Sequence, residues 1–160
     1  MSCDSLPPVL RYLEEIHAQT VLVVGQGADC VASAYRAAHA DCAVAIGVPA
    51  EVHAAGRYDT AILIGCIEHL EKTAALALIA RLRDVQAASL LVAAPIGLSW
   101  PGHASYWDEQ EFLGLGMQVY ARLACDAGAL LLYRYDIRDY KQVPDWLNSK
   151  YWAHPERWEP

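Results

Sequence analysis

The sequence predicts an α/β domain: a mostly parallel sheet with helices on both faces and an antiparallel hairpin at its C-terminal side. Three observations predict it. Short apolar runs alternate with segments of helical periodicity along most of the chain, and such alternation requires parallel crossovers. Two runs, Val21-Leu22-Val23-Val24-Gly25-Gln26-Gly27-Ala28-Asp29 and Tyr58-Asp59-Thr60-Ala61-Ile62-Leu63-Ile64-Gly65-Cys66-Ile67-Glu68-His69-Leu70, each end in a loop that opens a helix. In a parallel sheet, ligands bind at such strand ends. The last two runs are parted only by Asp126-Ala127-Gly128, a hairpin turn with a glycine for positive φ, and mixed sheets commonly carry such an antiparallel addition.

Each element has its own signal. Val9, Leu10, Leu13 and Ile16 fall at helical spacing after Pro7-Pro8, a suitable helix start. Residues 20–24 form a β-branched strand, and Asp29 is the expected N-cap of a helix over 30–40. Residues 43–48 read as a second strand stopped by Pro49, with a short helix over 49–55 and a third strand over 60–64. A long helix is expected from Glu68 to about Val85, where Leu70, Ala74, Leu78 and Leu82 recur at helical spacing. Residues 89–93 make a fourth strand ended by Pro95, followed by a Gly/Pro/Ser-rich loop over 96–106. Asp108-x-x-Glu111 is a capping box for a short helix to Leu115. Residues 118–125 and 129–135 are the closing strands.

The length of 160 residues suits one domain, and 55% hydrophobic residues allow a core without staples. Residues 1–135 form the α/β domain and 136–160 an aromatic-rich arm. The net charge of −7 provides no basic stripe for nucleic acid and disfavours an anionic membrane surface. Five cysteines without CxxC spacing fit a reducing cytosol, and the first residues lack the basic and apolar regions of a signal peptide. Six histidines show no metal-ligand spacing, and no serine sits in a G-x-S-x-G elbow.

With these motifs in view, residues 18–135 resemble the class I S-adenosylmethionine-dependent methyltransferase fold, a Rossmann-like sheet whose last strand is antiparallel. VLVVGQGAD resembles that family's V-L-D-x-G-x-G-x-G motif, and YDTAILIGCIEHL its later strand-loop motif ending in E-H-L. SLLVAAP and WDEQEFL are similar to the next strand and helix. The whole chain, with its tail DIRDYKQVPDWLNSKYW, is also similar to a family of short, uncharacterised bacterial proteins of this fold.

The resemblance implies an S-adenosylmethionine site shaped by Gly25, Gln26, Gly27 and Asp29, with Gly65, Cys66 and Ile67 near the methyl-bearing end. It implies catalytic roles for Glu68 and His69, either of which could take a proton from an acceptor. The plainer reading of Glu68 is a carboxylate at a helix N-terminus, and that of Cys66 a buried inert thiol. Three positions depart from the family pattern. Val23 replaces an acidic residue, Asp29 the third glycine, and Pro49 the acidic ribose acceptor after strand two, leaving Glu51 as the nearby carboxylate. An NAD site lacks the same acid and the third glycine of G-x-G-x-x-G, where Cys30 stands.

His103 and Tyr106 fall in the loop after strand four, where the family places substrate contacts and where polar loop residues are also ordinary. Tyr140, Trp146, Tyr151, Trp152 and Trp158 crowd the arm. Each can bury roughly 150–250 Å², on its own domain, over the pocket mouth or against a second subunit or protein partner. The alternative to an enzyme is a degenerate relative that keeps the sheet and works as a protein-interaction module through this arm.

Overall fold

Residues 6–54, 56–97, 101–125, 128–140 and 154 are described by a computed structural model. Helix α1 (Leu6–Ile16) leads into strand β1 (Thr20–Val24), helix α2 (Ala28–Ala38) and strand β2 (Ala43–Gly47). A 3-10 turn (Pro49–Ala54) replaces a full crossover helix before β3 (Tyr58–Leu63). A second 3-10 turn (Ile67–His69) precedes α3 (Lys72–Arg81), which unwinds through a π-turn (Leu82–Gln86) into β4 (Ala87–Ile96). Helix α4 (Glu109–Gly114), strands β5 (Gln118–Cys125) and β6 (Gly128–Asp136), and the short α5 (Ile137–Tyr140) follow.

The six strands form one sheet in the order β2-β1-β3-β4-β6-β5. The first four are parallel, and β6 runs antiparallel to both β4 and β5. The apolar stretches of β1, β3 and β4 are buried because both faces of the sheet are covered there. Val21, Val23, Ile62, Ile64, Leu91 and Ala93 pack under α1 and α2. Leu22, Val24, Leu63, Leu90, Val92 and Ala94 pack against α3, Trp107 and Phe112. At the N-terminal edge, Asp59 Oδ2 accepts from the Gln19 and Thr20 N–H groups at 3.0 and 2.9 Å. Those backbone donors hold its carboxyl below the usual range.

The predicted class and element order hold, with local differences. Helix α2 is capped by Gly27 rather than Asp29, which lies exposed in the first turn. The expected helix from Glu68 is two elements: Glu68 belongs to the separate 3-10 turn, and Glu71 caps α3 by accepting from the Thr73 and Ala74 N–H groups. The capping box is present, with Glu111 N–H to Asp108 and Asp108 N–H to Glu111 both at 3.0 Å. Asp126 and Ala127 of the expected turn, and Trp146, Tyr151, Trp152 and Trp158 of the arm, lie outside the described residues. The arm's first residues are fixed: Asp136 pairs with Ser89 near the start of β4, so α5 begins at the sheet edge opposite the ends of β1 and β3.

Candidate functional site

Strands β1 and β3 are neighbours in register, Val24 beside Leu63, so their following loops meet. Gly25 has φ +111°, and a Cβ there would stand 2.3 Å from the Ile64 carbonyl oxygen and 2.7 Å from Cys66 Cβ. The room left by this glycine is therefore used by the β3 loop. Gln26 N–H donates to Gly65 O at 3.1 Å, and Ile64 N–H to Val24 O at 3.1 Å, joining the two loops. Beyond them Gly27 is exposed, with φ +93°, and caps α2 without any side-chain acceptor. Ala28 N–H donates to Gly25 O at 3.3 Å, and no side chain accepts from the first turn at the cap.

Cys66, Ile67 and Glu68 are all buried in the turn after β3. Glu68 is 5% exposed, and its Oε2 has no hydrogen-bond partner among the described residues. The backbone around it is secured: Ala104 N–H donates to Glu68 O at 2.8 Å, Ser105 Oγ to Ile67 O at 2.8 Å, and Trp107 Nε1 to Ser105 Oγ at 3.1 Å. Burial, and then the nearby Glu68 charge, push the Cys66 thiol up to about 12. It stays a protonated thiol and a poor nucleophile at neutral pH, which favours the inert reading.

His69 is exposed, and its ring meets that of His103 edge-on at 5.7 Å between centroids. Tyr106 lies 6.4 Å from His103. The loop after β4 thus brings His103 and Tyr106 beside the turn that carries Glu68 and His69. Lys72 was not singled out by sequence, yet it anchors this arrangement. Its Nζ ion-pairs with Glu111 at 2.7 Å, bonds the Tyr106 carbonyl and lies 3.7 Å over the Trp107 ring. Its charge is therefore committed to holding the loop.

The β2 flank is different. Val23, in the place of the family's acidic residue, is fully buried and packs beneath α1 and α2. Ile46 and Val48 are 46% and 55% exposed, and Pro49 opens the 3-10 turn that contains Glu51. Glu51 is exposed, and no hydrogen bond to a described residue fixes its side chain. Beside this turn runs an apolar groove of about 390 Å³, lined by Pro49, Ala50, Val52, Leu70, Ala74 and Leu78.

Among the described residues, no helix is long and apolar enough to cross a membrane, and no group of three His, Cys, Asp or Glu side chains converges as for a metal. Comparison with known proteins places the chain. Residues 5–160 match a family of unknown function, DUF6231, and the chain belongs to that family. A search of curated proteins finds no match. Among solved structures it is similar to magnesium protoporphyrin IX methyltransferase (ChlM) from Synechocystis PCC 6803 with bound SAH. That similarity has 12% identity and a TM-score of 0.61, over 82% of this chain and 81% of that one. The methyltransferase domain of a bacterial Hen1 (CtHen1-CN) aligns at 16% identity and a TM-score of 0.55, over 83% of this chain and 97% of that one. An O-methyltransferase family protein from Burkholderia thailandensis aligns at 12% identity and a TM-score of 0.57, over 81% of this chain and 56% of that one. At these identities the likeness shows the fold, which is the methyltransferase-like α/β fold.

Proposed function

Within this family, we propose that the chain binds S-adenosylmethionine across the ends of β1 and β3 and transfers its methyl group to an acceptor beside His69. One observation carries the reading: two joined strand-end loops, one opening helix α2 at Gly27 without a side-chain acceptor, meet beside a turn whose buried carboxylate, Glu68, has an Oε2 that lacks a partner. Buried polar atoms left unpaired are rare and call for a missing donor. The ChlM structures described with bound SAH and bound SAM support the same type of ligand here.

In this reading Gly25, Gln26, Gly27 and Asp29 shape the loop under the cofactor's amino-acid part. Gly65, Cys66 and Ile67 line its reacting side, and Glu51 is the remaining carboxylate for the ribose. The apolar groove beside Pro49 receives the purine edge. When bound, the cofactor supplies an electrophilic methyl on a sulfonium. The chain would supply alignment, and the exposed imidazole of His69 would take the proton released as the acceptor's lone pair bonds the methyl carbon and the carbon–sulfur bond breaks to the neutral thioether. Residues 136–160 act as an arm packed on this domain or on a second copy.

Thermal unfolding during titration with S-adenosylmethionine, S-adenosylhomocysteine and NAD tests the reading. The two adenosyl ligands raise the melting temperature and NAD does not. At 100 times its Kd a ligand adds about 2.7 kcal/mol. Gly27→Arg, whose side chain fills the space over the loop, removes the response. No shift with any ligand favours the alternative, a non-catalytic interaction module that has lost its ribose acceptor at Pro49.

A further inference from the structure

Glu68 is more than a second candidate base. Its side chain is 5% exposed, Oε2 is fully enclosed, and no described donor reaches it. The cation nearest in sequence, Lys72, is held by Glu111, the Tyr106 carbonyl and the Trp107 ring. His69, one residue away, is exposed and stacked edge-on against His103. The backbone of the turn is held by the Ala104 bond to Glu68 O and the Ser105 bond to Ile67 O, with Trp107 Nε1 donating to Ser105 Oγ. Glu68 also lies close enough to Cys66 for its charge to act on the thiol. Cys66 Cβ in turn lies against Gly25, which puts the carboxylate at the junction of the two loops.

A carboxylate in such a place is costly unless a positive or hydrogen-bond-donating group joins it. We propose that Glu68 selects charge: its enclosed, unpartnered carboxylate attracts the cationic centre of a ligand bound at the loop junction through the poorly screening protein, without touching it, so a sulfonium nucleoside binds more tightly than the neutral thioether left after transfer. This rests on the adenosyl reading of the site and gives it a specificity-determining residue. It also assigns the proton-accepting role to His69 alone. One consequence is easy product release, because the product loses the charge that Glu68 holds.

Calorimetric titration of the full chain with S-adenosylmethionine, S-adenosylhomocysteine and sinefungin, which carries an amine at the position of the sulfonium, tests the inference. The two cationic ligands bind roughly tenfold or more tightly than S-adenosylhomocysteine, in line with an opposite charge a few ångströms away in a poorly screening site. Glu68→Gln loses that preference and keeps the affinity for S-adenosylhomocysteine. Its ligand-free melting temperature is no lower than that of the wild type, since an uncompensated buried charge has been removed. Equal affinity of all three ligands for the wild type overturns the inference and leaves the adenosyl site standing, as does a cation preference that survives in Glu68→Gln. Failure of all three to bind overturns the adenosyl reading and this inference together. The wild-type comparison needs no variant, so a Glu68→Gln chain that fails to fold leaves the test intact.

Discussion

On the β3 side of the glycine loop the backbone is tied at each turn, by Gln26 to Gly65, by Ser105 to Ile67 and by Ala104 to Glu68. On the β2 side the strand runs out into Val48, 55% exposed, and then Pro49, with Glu51 unanchored beyond. One flank is built to hold a geometry and the other presents apolar surface. The difference teaches that rigidity and ligand grip are separate assets here. In the proposed reading, the β3 side would keep its shape from the protein's own contacts, whereas affinity for a ribose would depend on groups that β2 does not supply.

The comparison can be broken most severely at Gly25. Gly25→Val drives a Cβ to 2.3 Å from the Ile64 carbonyl at φ +111°. Overpacking and backbone strain together cost roughly 3 kcal/mol or more, which appears as a large drop in the urea midpoint. Ser105→Ala comes next. It removes the bonds to Ile67 O and from Trp107 Nε1, so denaturant unfolding should show a loss of about 1–3 kcal/mol.

A pH series sharpens the same flank. The folded Cys66 thiol titrates near 12 against an ordinary 9.0, so the unfolded chain ionises first. Its stabilising contribution is complete below pH 9.0 and declines as pH rises toward 12. Urea midpoints in Cys66→Ala therefore fall less steeply above pH 9.0 than in the wild type. At neutral pH, Cys66 resists alkylation in the folded protein while the exposed Cys30 reacts. The smallest stability effect belongs to the open flank. Val48→Asp changes stability within about 0.5 kcal/mol, yet it tightens adenosyl-ligand binding by roughly tenfold if the new carboxylate reaches the ribose hydroxyls.

The two flanks were not equally legible in the sequence. Strands β1, β3 and β4 announce themselves by short apolar stretches because both their faces are buried, and Asp108 with Glu111 writes its capping box locally. The strand-end glycines Gly25 and Gly27 are local signals too, and both have the positive φ their loop requires. Glu68 reads as the start of a long helix because apolar residues continue at helical spacing through Leu70 and Ala74. The break comes from Glu71, a cap residue outside the usual Ser, Thr, Asp and Asn set. Lys72 leaves no local signal at all, since its partners Tyr106 and Glu111 lie 34 and 39 residues away. The pairing of His69 with His103 is hidden likewise, as it depends on how the loop after β4 folds back over the turn.

Hydrogen exchange of backbone amides, followed with and without saturating S-adenosylhomocysteine, tests the central claim most directly. The account predicts slowed exchange in two segments, residues 25–30 and 65–69, and in the flanking 49–54 turn beside the groove, with the sheet's opposite edge around Asp59 and Asp136 unchanged. Unchanged exchange in both segments, or protection that appears only elsewhere in the molecule, would contradict it.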